Sequence, residues 1–212
     1  MIIGICGDVM VQLLKYGNTN TFYISNGHSG LLVDTDWAWT LSSFFRAIKS
    51  RHISIDEIHF LIITHYHPDH MGLVSELVEL GTKLVVVDVQ RDFIHCSDNI
   101  FQRDKHRIYR PIKDDEAIMI SCADSRDFLK KIGIAGEIIY TPGHSDDSIS
   151  IILDEGIAIV GDLDPVDSVL AYNDNTILKN SWNKILGHNL KVVFYGHANE
   201  RDVSKLNSIG DL

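Results

Sequence analysis

The 212-residue sequence has little cysteine, little proline and no long apolar run. Its three cysteines, Cys6, Cys96 and Cys122, are odd in number and scattered. That argues against a disulfide framework and for a reducing compartment, and the thiols, lacking metal-ligand spacing, read as packing residues. No stretch approaches the roughly 18 to 20 apolar residues that span a bilayer, so no membrane association is expected. The apolar start MIIGICGDVMVQLL has no basic leading region and is interrupted by Asp8. It does not read as a secretory signal, and the expected location is the cytoplasm. Positive charge is scarce as well: 19 Lys and Arg against 29 Asp and Glu give a net −10. So acidic a surface repels polyphosphate, which argues against a nucleic-acid partner. Assembly into a homo-oligomer stays open.

What the chain does have is ordinary hydrophobic content, 45%, enough for a substantial core in residues 1–212 as a single domain. Strand-like runs occur at Ile2–Ile5, Val11–Leu14, Thr21–Ile24, Gly30–Val33, His59–Ile63 and Lys83–Val87. They resume at Glu137–Tyr140, Ser148–Leu153, Gly156–Val160 and Lys191–Tyr195. Helical periodicity falls around Trp37–Lys49, after His70, around Ser125–Ile132 and at Thr176–Leu186, with Ser125 and Asp174 as N-cap candidates. Strands in both halves with helices between them give a layered α/β domain. Residues 88–116 stand apart, charged and weakly periodic, with six Lys or Arg from Arg91 to Lys113. They read as a helical insertion or lid, or as a solvated helix pair, and their basic residues leave room for an anionic substrate.

Eleven histidines are many for this length, and their placement is the informative feature. The run Leu61-Ile62-Ile63-Thr64 ends in His65-Tyr66-His67-Pro68-Asp69-His70, four candidate metal ligands in six residues. Imidazole and carboxylate suit Zn²⁺ and similar first-row ions. In extended chain His65 and His67 point to one side, while Asp69 and His70, opening the next helix, turn toward a neighbouring point. The spacing therefore suits two adjacent metals. Four more apolar runs end in a ligand-type residue: GLLV before Asp34, EIIYTPG before His144, GIAIVG before Asp162 and KVVFYG before His197. Glycine immediately precedes three of them, Gly143, Gly161 and Gly196, as suits a sharp bend beside a crowded site.

THYHPDHMG resembles the H-x-H-x-D-H signature of the metallo-β-lactamase-fold hydrolases. TPGHSDDS, GDL and YGH resemble that superfamily's later ligand motifs in order, and VDTD its early aspartate motif. The resemblance extends from about Asn20 to Ala198. It implies an αββα sandwich of two mixed β-sheets flanked by helices, with a dinuclear metal site at one sheet edge. One metal would take His65, His67 and His144. The other would take Asp69, His70 and His197, with Asp162 bridging both. Asp34 would hydrogen-bond a ligand and fix its orientation.

The implied cofactors are two divalent ions, Zn with Fe or Mn as alternatives, and the implied activity is hydrolysis of a small ester, thioester or lactone by hydroxide available near neutral pH. Asp69 would accept the attacking water's proton. True β-lactamases of the fold lack the bridging aspartate. Glutathione thioesterases hold glutathione with a C-terminal helical domain, whereas 15 residues follow His197 here. Lactonases carry a tyrosine shortly after the bridging aspartate, and the nearest here is Tyr172. The alternatives are a small phosphodiesterase or nuclease on the same metals and a di-iron redox domain, whose members put glutamate where His67 stands. A sensor module with a decayed site is disfavoured, because seven convergent polar residues cost stability without a metal to satisfy them. Trp37 and Trp39 follow VDTD at the start of an expected helix: in a loop near the metals they would form an apolar wall for substrate, whereas two apart on a helix they cannot share one face. Tyr66 should face away from His65 and His67, and of the histidines outside the motifs only His28, in the turn NGHSG, calls for a check of its distance from the site.

Overall fold

A computed structural model describes residues 2–6, 9–171 and 175–211. The chain divides into two compact units, Met1–Ser121 and Cys122–Leu212. The first holds a seven-stranded sheet whose strands follow chain order. These are β1 (Ile2–Cys6), β2 (Val9–Lys15), β3 (Asn20–Ser25), β4 (Gly30–Val33), β5 (Ile58–Ile62), β6 (Lys83–Val87) and β7 (Ile118–Ile120). Short turns let β1 to β4 pair antiparallel, whereas β4 to β7 pair parallel and need crossovers. Helix α1 (Leu41–Ser50) makes the first crossover, α2 (Pro68–Met71) and α3 (Val74–Glu79) the second, and residues 88–117, with α4 (Asp98–Phe101), the third. Every residue of β3 and β4 is buried, which is why these strands read as unbroken apolar runs. Phe44 and Ile48 of α1 and Val74 and Leu77 of α3 pack with Leu32, Leu61, Leu84 and Val86 of the sheet in one core.

The second unit holds a five-stranded sheet ordered β12-β11-β10-β9-β8, with β8 (Gly136–Tyr140), β9 (Ile149–Leu153), β10 (Ile157–Ile159), β11 (Val192–Phe194) and β12 (Arg201–Asp202). Only β10 and β11 pair parallel, joined through α6 (Thr176–Leu186); α5 (Ser125–Lys131) precedes β8. Leu178, Trp182, Ile185 and Leu186 form one face of α6 and pack with Ile152, Ala158, Val160 and Val193, the i, i+4, i+7, i+8 spacing of an amphipathic helix. Two mixed sheets with helices are the α/β class expected. No helix among the described residues is long and apolar enough to cross a membrane.

Several local expectations need correction. The first helix opens at Leu41, because residues 37–39 form a turn. There the Asp36 carboxylate accepts from the Trp37 N–H (2.7 Å), and the Thr40 hydroxyl donates to the Trp37 carbonyl (2.6 Å). Ser125 does not cap α5, whose N-cap is Asp124. Its hydroxyl donates to the Cys122 carbonyl (2.6 Å) and accepts from the Ile138 N–H (2.9 Å), tying the helix to β8. Asp174 lies outside the described residues; Asn175 caps α6, accepting from the Leu178 N–H at 3.0 Å. Cys96 is exposed and so is not a packing residue. Within 88–116 the helical pieces are short, Asp88–Phe93, α4 and Asp114–Glu116, and Gln90, Phe101 and Ile112 are buried.

Candidate metal centre

In the first unit the candidate ligands follow β5. His65 and His70 are buried, Asp69 is half-buried and His67 is exposed. His65 Nε2 lies 3.0 Å from His67 Nδ1, and the His65 and His70 rings are 4.1 Å apart. Asp69 and His70 open α2 beside Pro68 at its first position, where a missing N–H costs nothing.

Neighbouring elements hold this short loop by its backbone. The Gln90 amide donates to the Ile63 and Thr64 carbonyls (2.9 and 3.2 Å), and the Ser97 hydroxyl donates to the Tyr66 carbonyl (2.6 Å). Thr19 donates to the Asp69 carbonyl (2.6 Å), and Thr35 to that of His70 (2.9 Å). Sequence reasoning missed these four residues, since nothing in their type or spacing distinguishes them from ordinary polar positions.

Asp34 sits at the end of β4 next to β5, fully buried. One oxygen accepts from the Thr64 N–H (2.6 Å); the other accepts from the Thr64 hydroxyl (2.7 Å) and lies 2.9 Å from His70 Nδ1. With Nδ1 protonated toward Asp34, His70 Nε2 keeps its lone pair, the form a metal ligand needs. Tyr66 is buried in the core. His28 lies in the turn before β4, at the opposite end of that strand from Asp34.

In the second unit three glycines precede three donors. Gly143 (φ 151°) and Gly161 (φ 59°) have backbone angles that side-chain-bearing residues rarely adopt. Ile159 of β10 pairs with Phe194 of β11, so Asp162 and His197, each three residues further on, emerge side by side; the Gly196 N–H donates to the Gly161 carbonyl at 2.7 Å. His197 Nε2 is 3.3 Å, and His144 Nε2 3.8 Å, from one Asp162 oxygen. The Ser181 hydroxyl donates to the Pro142 carbonyl (2.6 Å), anchoring α6 to the turn that carries His144. Tyr172 lies outside the described residues.

Each constellation fits a divalent cation by the chemistry of its donors. Two imidazole nitrogens 3.0 Å apart need a proton or a metal ion between them, and a carboxylate oxygen flanked by two imidazoles is a hard donor beside borderline ones. No thiolate is among these donors, so the sets suit zinc or a harder first-row ion rather than a thiophilic one.

The family model described as the metallo-beta-lactamase superfamily matches residues 14–197. "Beta-lactamase-like protein 2 homolog" of Drosophila melanogaster is 27% identical over 193 residues, 89% of this chain and 62% of that protein. An "atrochrysone carboxyl ACP thioesterase" of Aspergillus fumigatus is 27% identical over 164 residues, 75% of this chain and 31% of that protein. The chain thus spans less than two thirds of either relative. Among solved structures, a metallo-beta-lactamase family protein from Thermus thermophilus superposes with a TM-score of 0.70 at 17% identity, covering 96% of this chain and 78% of that one.

Proposed function

Because the chain belongs to the metallo-beta-lactamase superfamily, we propose that it is a metal-dependent hydrolase of a small ester, thioester or lactone. In this reading His65, His67 and His144 hold one divalent ion, zinc in the first instance. Asp69, His70 and His197 would hold a second, with Asp162 as a ligand available to both. The observation that carries the reading is the pairing of donors within each unit: His65 Nε2 at 3.0 Å from His67 Nδ1, and Asp162 beside His197 and His144. A relative named as a thioesterase supports the substrate class.

Divalent cations held by these residues would lower the pKa of a water and polarise a carbonyl oxygen, so no serine or cysteine nucleophile would be needed. The chain's own residues orient and move protons. Asp34 holds the proton on His70 Nδ1. Thr19 and Thr35 fix the carbonyls of Asp69 and His70 and so the direction in which those side chains leave α2. The Asp69 carboxylate accepts the proton of the attacking water and returns it to the leaving group. Scattered cysteines favour a reducing compartment, the cytoplasm, as its location.

Metal analysis and a substrate panel test this together. Two equivalents of metal, loss of turnover on chelation and cleavage of thioester or lactone are expected. Well under one equivalent with unimpaired turnover would refute the metal assignment. Cleavage of phosphodiesters alone would replace the acyl substrate by a phosphoester.

A further inference from the structure

We propose that Trp37, Trp39 and Arg107 form a recognition subsite for the non-reacting arm of the substrate, an arm joining a planar apolar group to a carboxylate or phosphate. The substrate role rests on the hydrolase reading above; the binding role does not. Because residues 37–39 form a turn rather than helix, both indoles meet the same ring. Trp37 and Trp39 each set an edge against Phe101, at 6.1 Å and 84° and at 5.8 Å and 90°. Phe101 is buried and stacks on Tyr109 at 4.4 Å, whose hydroxyl donates to Asp98 at 2.9 Å.

Trp39 has φ 69°, a costly conformation for a bulky side chain. Three contacts hold it there: its edge against Phe101, its Nε1–H donating to the Ile108 carbonyl at 3.0 Å, and the Arg107 guanidinium 5.1 Å from the ring centre. Such strain persists only where the surrounding contacts over-determine it.

Trp37 is 39% exposed, and Arg107 is 59% exposed, with Asp104 3.7 Å away as its partner. Residues 103–113 carry five Lys or Arg against one Asp; Arg107, Arg110 and Lys113 have carboxylate partners in Asp104, Glu79 and Glu116, so this stretch repels anions less than the rest of a chain of −10 does. The location suits a substrate arm. A Cβ on Gly72 would strike the Ala38 nitrogen and the Trp37 carbonyl carbon, so the turn lies directly on the chain two residues past His70. Trp37 is three residues from Asp34, at most about 10 Å of chain. A planar group against the indoles, with its anion on Arg107, is therefore held beside the candidate ligands of the first unit.

Tryptophan emission tests the subsite without turnover. The sequence has three tryptophans, and the third, Trp182, is fully buried in the second unit. The full chain, metal-loaded and chelated, is titrated with 1-naphthoate, 1-naphthyl phosphate and the neutral 1-naphthalenemethanol. Chelation removes any binding of the anion through metal. Saturable quenching by the anions in both forms is expected, with Arg107→Gln weakening them about tenfold and the alcohol about twofold or less. Trp37→Leu with Trp39→Leu, which removes the reporting indoles, is read instead by the naphthyl ligands' own fluorescence anisotropy and should lose the binding. The tighter of the two anions identifies the head group.

Anion binding that Arg107→Gln leaves unchanged, or that needs the metals, would overturn the subsite. In kinetics, Arg107→Gln should raise KM for a thioester with a carboxylated aryl arm relative to its uncharged counterpart. Absence of hydrolysis with binding intact would refute the hydrolase reading and leave the subsite standing. Hydrolysis with binding indifferent to Arg107 would do the reverse.

Discussion

Asp34→Asn changes one atom of a buried carboxylate, and the three hydrogen bonds to it dictate how the site responds. The oxygen facing the Thr64 backbone N–H (2.6 Å) meets an obligate donor, so the amide oxygen of asparagine must take that place. The amide NH₂ then occupies the other position, against the Thr64 hydroxyl and His70 Nδ1. The hydroxyl can rotate and accept. His70 can accept only by giving up its Nδ1 proton, which moves to Nε2 and removes the lone pair a metal would use. Bonds to a charged partner contribute about 1.5–3 kcal/mol each and neutral ones about 0.5–1.5. Neutralising the group should thus cost about 2 kcal/mol of stability, a large part of a domain's about 5–15 kcal/mol, and about 10–100-fold in metal affinity. Urea unfolding of the chelated protein measures the first, metal titration the second, and ¹⁵N spectra of the histidine rings report the tautomer. An unchanged unfolding midpoint with His70 still protonated at Nδ1 would refute the reasoning. Asp34→Ala, which strips all three bonds and sets alanine at φ 61°, should cost about 4 kcal/mol, twice as much.

Gly72→Ala should destabilise the first unit by about 2 kcal/mol, because the added methyl meets backbone atoms of residues 36–38 that have no room to retreat; denaturant melts check this. Phe101→Ala removes the ring on which the exposed Trp37 and the half-buried Trp39 rest and should cost about 3–5 kcal/mol, with a red shift in tryptophan emission. Arg201 holds the Asp167 carboxyl below its ordinary range through paired contacts of 2.7 and 2.8 Å. A depressed folded-state pKa gives stability that is complete above the unfolded carboxyl value of about 3.9 and disappears as pH falls through the folded one. Arg201→Gln should therefore lower Tm slightly at about pH 5 and above, since the pair is exposed, and converge on the parent as pH falls through the depressed folded-state value.

Most of the sheet framework was legible because its strands are buried on both faces and appear as short apolar runs, as at Gly30–Val33 and Ile149–Leu153. β7 escaped notice, since Ile118-Met119-Ile120 is three residues long and only partly buried. So did the two-residue β12. The candidate ligands were legible because histidine and aspartate are conspicuous at strand ends. Their supports were not: Thr19, Thr35, Gln90 and Ser97 act on carbonyls of residues 26 to 50 positions away, and such distant partners leave no local pattern. Of the two readings of Trp37 and Trp39, the helical one failed for a related reason. Helical periodicity was extended through a segment that the Asp36 and Thr40 side chains close into a turn, since side-chain bonds to nearby backbone compete with helix there.

The two units solve one geometric problem in different ways. Adjacent parallel strands in fixed register deliver the residues beyond them to adjacent positions, so equal offsets past paired residues bring donors together. In the second unit the offset is three residues past Ile159 and Phe194, and Gly161 supplies the positive φ that turns Asp162 toward His197. In the first, Val33 pairs with Ile62. Asp34, one residue on, itself takes the left-handed conformation at φ 61°, which aspartate tolerates better than most residues. Its carboxylate thereby reaches both the Thr64 N–H and His70 Nδ1. A glycine could adopt that angle but could not hold the histidine, and a β-branched acceptor would resist the angle. The requirement for backbone freedom and for a buried acceptor in one residue is what makes aspartate, rather than any other acid or amide, the side chain suited to the end of β4.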